Sequence, residues 1–122
     1  MANERKNVQQ AAGRINTLDP LNPLAALIEC GTGNFAVTKL GVGSVLITFV
    51  QSGSNPVANA GAGLDVSERV IHVGSNTPGS IPHVNPAGDS DETFQVDMLD
   101  WAVPSIPEAI EGVFSFTVDR VG

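Results

Sequence analysis

The chain has 122 residues, 42% of them hydrophobic and 16% charged, with a formal net charge of −7. This length suits one domain with one core, and no stretch approaches the ~20 apolar residues of a membrane-spanning helix. The acidic charge lies in residues 65–122, where ten carboxylates accompany two arginines, and it disfavours binding to the phosphate backbone of a nucleic acid. Cys30 is the single cysteine. It excludes an intrachain disulfide and a multi-cysteine zinc site, and the apolar run around it predicts that it is buried.

The first 23 residues are polar, have no clear period and end in a segment with two prolines. Proline disfavours helix and favours an extended path, so the sequence predicts an extended N-terminal arm over residues 1–23. Arg5, Lys6 and Arg14 make this arm slightly basic, and they are candidate contacts with the acidic half of a neighbouring subunit. The chain opens without the apolar segment of a signal peptide, so we expect synthesis and folding in a cytosol.

Residues 24–122 alternate short apolar runs with turns rich in glycine, proline and asparagine, a pattern typical of an all-β fold. We therefore expect a single antiparallel β-sandwich or jelly-roll-like domain over residues 24–122. A barrel stays open as an alternative, because strand order cannot be read from periodicity. The seven predicted strands cover residues 24–30, 35–39, 44–51, 68–73, 81–84, 93–99 and 112–121.

Glycine-rich turns separate the predicted strands. Gly31-Thr32-Gly33-Asn34 predicts a hairpin between the first two strands, and Gly41-Val42-Gly43 predicts a turn between the second and the third. Residues 52–63 are small or polar and predict a long loop. The last strand alternates apolar and polar residues up to the end of the chain, and we expect it to form an edge that contacts neighbouring subunits.

Three patterns contain the residue types of a functional site. Gly31 to Ala36 fits the G-x-G-x-x-A turn of dinucleotide-binding folds, but glycines and β-branched residues follow where that turn needs a helix. His72 and His83, taken with the acidic run 89–92, lack a third metal ligand at diagnostic spacing, and that run lacks the glycine and distal glutamate of an EF-hand loop. No Gly-x-Ser-x-Gly elbow occurs. The sequence therefore predicts no catalytic, cofactor or metal site, and a protein that is not an enzyme.

Two segments resemble those of a known class of proteins. The glycine-led run 41–50, Gly-Val-Gly-Ser-Val-Leu-Ile-Thr-Phe-Val, and the closing run 114–120, together with the polar opening segment, resemble small β-rich structural proteins of tailed bacteriophages. The resemblance implies a non-enzymatic virion protein, either a capsid decoration or cement subunit or a tail or fibre appendage, made in the host cytoplasm. It also implies partners: copies of itself in a symmetric oligomer, a trimer in our interpretation, and a larger protein lattice such as a capsid.

A second hypothesis is a carbohydrate- or small-ligand-binding β module. Trp101 would stack on a sugar ring, and the acidic residues Asp89, Asp91 and Glu92 would lie beside it. The same acidic run leaves open weak binding of a cation such as calcium.

Overall fold

The computed structural model describes residues 7–49, 69–90, 93–100 and 108–121. These residues form an all-β structure, which confirms the predicted fold class. The strands are β1 (Asn7–Asn16), β2 (Leu27–Gly31), β3 (Phe35–Gly41), β4 (Ser44–Phe49), β5 (Arg69–Ser75), β6 (Ser80–Asn85), β7 (Thr93–Asp100), β8 (Glu108–Ala109) and β9 (Val113–Val121). A short 3₁₀ turn, Pro86–Gly88, follows β6. Within these described ranges, no helix is long and apolar enough to cross a membrane.

The strands form two antiparallel sheets that pack face to face as a sandwich. One sheet has the order β2-β1-β9-β5, and the other has the order β3-β4-β7-β6 with β8 paired to β7. All seven predicted strands are present, with ends that differ by a few residues. The sandwich is held by residues that alternate along the strands, because every second side chain points to the same face.

The core lies between the two sheets. The rings of Phe94 and Phe116 meet edge to face across it, with centroids 5.4 Å apart, an arrangement that the charge distribution of aromatic rings favours. Its buried hydrophobic members are Ala11, Ile15, Phe35, Val45, Ile47, Phe49, Phe94, Val96, Met98, Phe114, Phe116 and Val118. This single cluster supplies the apolar burial that stabilises the domain.

The extended arm predicted over residues 1–23 is wrong for residues 7–16. These residues form β1, an inner strand that pairs with β2 on one side and with β9 on the other. Ala11 and Ile15 are completely buried in the core. The predicted boundary at residue 24 therefore does not separate an arm from the sandwich, because the sandwich contains β1.

The alternation of apolar and polar residues in β1 is hard to see in the sequence, because its inward positions include small residues. Gly13 lies opposite Gly31 of β2, and the ring of Phe35 fills the space that both leave. A Cβ atom added at Gly13 would lie 2.6 Å from Phe35 Cζ, and one added at Gly31 would lie 2.7 Å from the same ring. The Phe35 ring thus occupies the space that side chains at positions 13 and 31 would otherwise fill.

Of three further predictions, on two turns and on the position of the last strand, two are wrong and one is confirmed. The turn Gly31–Asn34 does not close a hairpin, because β2 and β3 belong to different sheets. The last strand, β9, is not an edge, because it lies between β1 and β5. The turn at Gly41–Gly43 does close a hairpin between β3 and β4, and Gly43 adopts a positive φ of 66° there. The loop predicted at residues 52–63 lies outside the described residues.

Candidate functional site

A largely buried ion pair joins segments that are far apart in the sequence. Lys39 of β3 contacts Glu111, which precedes β9, with 2.6 Å between Lys39 Nζ and Glu111 Oε2. The other carboxylate oxygen accepts hydrogen bonds from the Thr17 hydroxyl at 3.0 Å and from the Gly43 N–H at 2.5 Å. Lys39 also donates to the backbone carbonyl of Thr17. This group of four residues, the Lys39–Glu111 network, joins the ends of four strands, β1, β3, β4 and β9.

The surroundings of Glu111 keep it ionised. Burial by itself would raise the pKa of its carboxyl, but hydrogen bonds from Lys39, the Gly43 N–H and Thr17 outweigh that effect, and the pKa lies below its ordinary value. The Lys39 side chain is only 9% exposed, so its charge needs this compensation. The network is therefore electrically neutral.

The segment after β1 is a compact turn fixed by its own polar side chains. The side-chain oxygens of Asn16, Asp19 and Asn22 each accept the backbone N–H of the leucine two residues later, at 2.9–3.1 Å. Backbone hydrogen bonds also link Asp19 with Asn22 and with Ala25. Asn and Asp favour such turns because their short side chains reach the backbone just ahead of them. The backbone of this turn is therefore closed by hydrogen bonds of its own chain.

Two of these leucines point into solvent. Leu21 is 94% exposed and Leu24 is 86% exposed, and on the nearby β3–β4 hairpin Leu40 and Val42 are 51% and 58% exposed. We call Leu24, Leu40 and Val42 the apolar patch, because these three residues line one pocket. Isolated exposed apolar residues are ordinary in soluble proteins, but an apolar group gathered at one place marks a contact surface.

A pocket of about 350 Å³ opens within the apolar patch. Pro23 and Leu24 of the turn and Leu40 and Val42 of the hairpin line it, and Lys39 and Glu111 contribute its polar lining. Because the charges of Lys39 and Glu111 pair with each other, the pocket presents aliphatic surface and no unpaired charge. Such a pocket suits an aliphatic side chain better than a charged one.

A second polar cluster lies across strands β4, β7 and β6. One oxygen of Asp97 accepts hydrogen bonds from Ser44 at 2.7 Å and from Gln95 at 2.9 Å, and the other accepts one from Asn85 at 2.8 Å. Burial would raise the pKa of Asp97, but these three hydrogen bonds and the charge of His83 lower it below its ordinary value. The cluster is thus an internally satisfied brace between strands.

The structure does not bring the two histidines together. His72 is on β5 in one sheet, with Nε2 4.0 Å from Asp119 Oδ2, and His83 is on β6 in the other sheet. Across the described ranges, no three His, Cys, Asp or Glu side chains are grouped so as to hold a metal ion. Asp89 is exposed after the 3₁₀ turn. The acidic run beyond it, Asp91 and Glu92, and also Trp101 lie outside the described residues.

The predicted contact residues have different outcomes. Cys30 is exposed, so its predicted burial is wrong; it lies opposite Arg14 on an edge strand, at a position that faces away from the core. Arg14 is half exposed and contacts Glu29 of its own chain, with 3.0 Å between Nε and Oε1. Arg5 and Lys6 lie outside the described residues. None of these residues belongs to the apolar patch.

Sequence reasoning missed the apolar patch, although the chain carries a signal for it. In Asp19-Pro20-Leu21 and Asn22-Pro23-Leu24, a residue that favours turns precedes a proline and then a leucine. This repetition predicts two consecutive turns, and a leucine within a tight turn has few neighbours to bury it.

Comparison with known proteins gives no further guide to the function. The sequence matches no protein-family model, no curated protein and no solved structure at a significant level.

Proposed function

We propose that the protein is a non-enzymatic structural subunit that works through protein–protein contacts. In its specific form, the proposal is a bacteriophage virion protein, a capsid decoration or cement subunit or an appendage subunit, made in the host cytoplasm. It would contact copies of itself, in a trimer, and a larger lattice such as a capsid. The observation that carries the proposal is the apolar patch, which lies beside a turn closed by its own hydrogen bonds, with Leu21 and Leu24 of that turn 94% and 86% exposed.

The size of the patch fits a contact that is repeated by symmetry. Full burial of one aliphatic side chain stabilises by roughly 1.5–3 kcal/mol, so burying the three partly exposed side chains of the patch would contribute about 3–6 kcal/mol per copy. Association costs an estimated ~4–15 kcal/mol in lost freedom. One such contact is therefore weak by itself. Several contacts in a closed ring or on a lattice become strong together, because each one holds the next in place.

The two carboxylates with altered pKa support a structural role. A general base must have a pKa near the working pH, whereas the pKa values of Asp97 and Glu111 are both lowered. Each carboxylate also accepts hydrogen bonds from donors of its own chain. They are used to brace strands, which is consistent with a subunit whose task is to keep its shape.

The proposal is tested with the purified full-length protein. Size-exclusion chromatography with light scattering measures the oligomeric state, and negative-stain electron microscopy looks for rings or for knobs on phage particles mixed with the protein. A glycan array is run beside them. Oligomers or particle-bound protein with no glycan signal would support the proposal. A monomer that binds no particle, or a specific glycan signal, would overturn it, and the latter would favour the carbohydrate-binding module.

A further inference from the structure

We propose that the end of the sandwich around the apolar patch binds a basic segment of another protein, in which one aliphatic side chain is flanked by lysines or arginines. The aliphatic side chain enters the pocket of about 350 Å³, and the cationic side chains contact carboxylates around it. This inference rests on the proposed function, because it names the chemistry of the larger lattice protein to which the subunit attaches.

Strand pairing places the pocket at one end of the sandwich. In one sheet, Asn16 at the end of β1 lies opposite Val113 at the start of β9. In the other sheet, Ser44 at the start of β4 lies opposite Asp97 of β7. The Lys39–Glu111 network joins these two sheet ends, so the residues beside them belong to one surface.

The charges on this surface are mostly negative. The turn after β1 contributes Asp19, β7 contributes Asp97 and Asp100, and β8 contributes Glu108, which lies opposite Asp100. We call these four residues, together with the Lys39–Glu111 network, the acidic end. Its five carboxylates and one lysine give a formal charge of −4 out of the chain's −7.

The other basic residues of the described ranges do not neutralise the acidic end. Arg14 contacts Glu29, and Arg69 and Arg120 lie opposite each other at the far end of the sandwich, where β5 starts and β9 ends. A negative surface repels nucleic acids, anionic lipids and other copies of this acidic chain, whereas it attracts a cationic surface. The charge therefore selects a basic protein as the partner.

The pocket sets the second property of that partner. Its aliphatic lining comes from the apolar patch, and its charged pair is already matched, so it takes an aliphatic side chain without leaving a polar group unpaired. Asp19 and Glu108 precede the pocket residues Pro23 and Glu111 by four and three positions. Both carboxylates therefore lie near the pocket, where they can contact cations on either side of the inserted side chain.

The inference is tested by NMR titration of the isotope-labelled full-length protein with three short synthetic peptides. The first has a central leucine between pairs of lysines, the second has serine in place of that leucine, and the third has glutamates in place of the lysines. The first should shift the amides of Leu24, Gly41 and Gly43, bind roughly 10-fold more tightly than the second, and bind less tightly in about 1 M salt. The third should not bind. Equal binding of the first two peptides, no binding of the first, or shifts confined to other residues would overturn the inference.

Two pairs of matched variants test the pocket and the charge separately. Val42→Ser should weaken binding of the first peptide by roughly 3- to 10-fold, whereas Ile81→Ser, at a residue of the edge strand β6 that is 47% exposed, should not. Glu108→Gln should weaken it by roughly 2- to 5-fold, whereas Asp89→Asn makes the same charge change at the far end of the sandwich and should not. Circular dichroism checks that the variants are folded. Losses no larger than those of the controls would overturn the inference.

Binding to phage particles separates this inference from the proposed function. Particle binding that both added salt and Val42→Ser weaken would support the two together. Particle binding that neither of them weakens would overturn the inference and leave the proposed function standing. A monomer that binds the basic peptide but no particle would overturn the proposed function and leave the site for a basic segment standing.

Discussion

The Lys39–Glu111 network gives the sharpest prediction about stability. In Glu111→Gln, the amide oxygen can still accept from Thr17 and Gly43, but the negative charge beside Lys39 is lost. Removing one partner of a buried pair costs about 3–5 kcal/mol. Because the Glu111 side chain is 27% exposed, water can partly solvate what remains, and we expect a smaller loss of about 2–3 kcal/mol at neutral pH. That loss would lower the Tm by roughly 10 °C.

The same substitution has a defined dependence on pH. The pKa of Glu111 lies below its ordinary value of 4.5 in the folded protein, so its contribution to stability is complete above that value and is lost as the pH falls through the folded pKa. Asp97, whose pKa is also lowered, weakens wild type and variant alike at low pH and cancels in their difference. Urea unfolding at several pH values measures that difference.

The control for this experiment is Glu108→Gln, which removes an exposed carboxylate three residues away. It should change the free energy of unfolding by less than about 0.5 kcal/mol. A Glu111→Gln deficit as large at about pH 3 as at about pH 7 would refute the reasoning, because protonation would then leave the contribution of Glu111 intact.

Three further predictions concern the sandwich itself. Gly13→Ala should cost about 1–3 kcal/mol by driving a Cβ into the Phe35 ring, and Phe35→Leu in the same chain should recover part of that loss in a double-mutant cycle. Gly43→Ala should be far more destabilising in thermal unfolding than Gly33→Ala, since both need a positive φ but only Gly43 faces a backbone carbonyl; equal losses would contradict this. Deleting residues 1–16 should abolish the cooperative unfolding transition, and a folded product would show that β1 is dispensable.

Much of the fold could be predicted from the sequence because its large apolar residues alternate. In β4, β7 and β9 every second position carries a valine, isoleucine, methionine or phenylalanine, and this period of two is visible without a structure. In β1 the inward positions include Ala11 and Gly13, which are poor strand formers. The strand is stabilised by Phe35, a residue from another sheet, so its identity depends on tertiary packing that no local pattern reports.

The candidate contact surface was harder to predict, for a related reason. Lys39 and Glu111 are 72 residues apart in the sequence, and only the pairing of whole strands places them together. Leu21 and Leu24 look like core residues in a hydropathy profile. In the structure both are exposed, in turns that the side chains of Asp19 and Asn22 close.

The pairing of β1 with β9 places Asn7 opposite Val121. On a ribosome, which adds about 5–20 residues per second, the first strand therefore waits roughly 5–20 s for its main neighbour. Only β2 is available to it early, and the other long flank stays uncovered until the final strand emerges. Nascent chains of this protein should thus be vulnerable to chaperone capture or to mispairing with one another throughout translation, and a message truncated before β9 should yield no native domain.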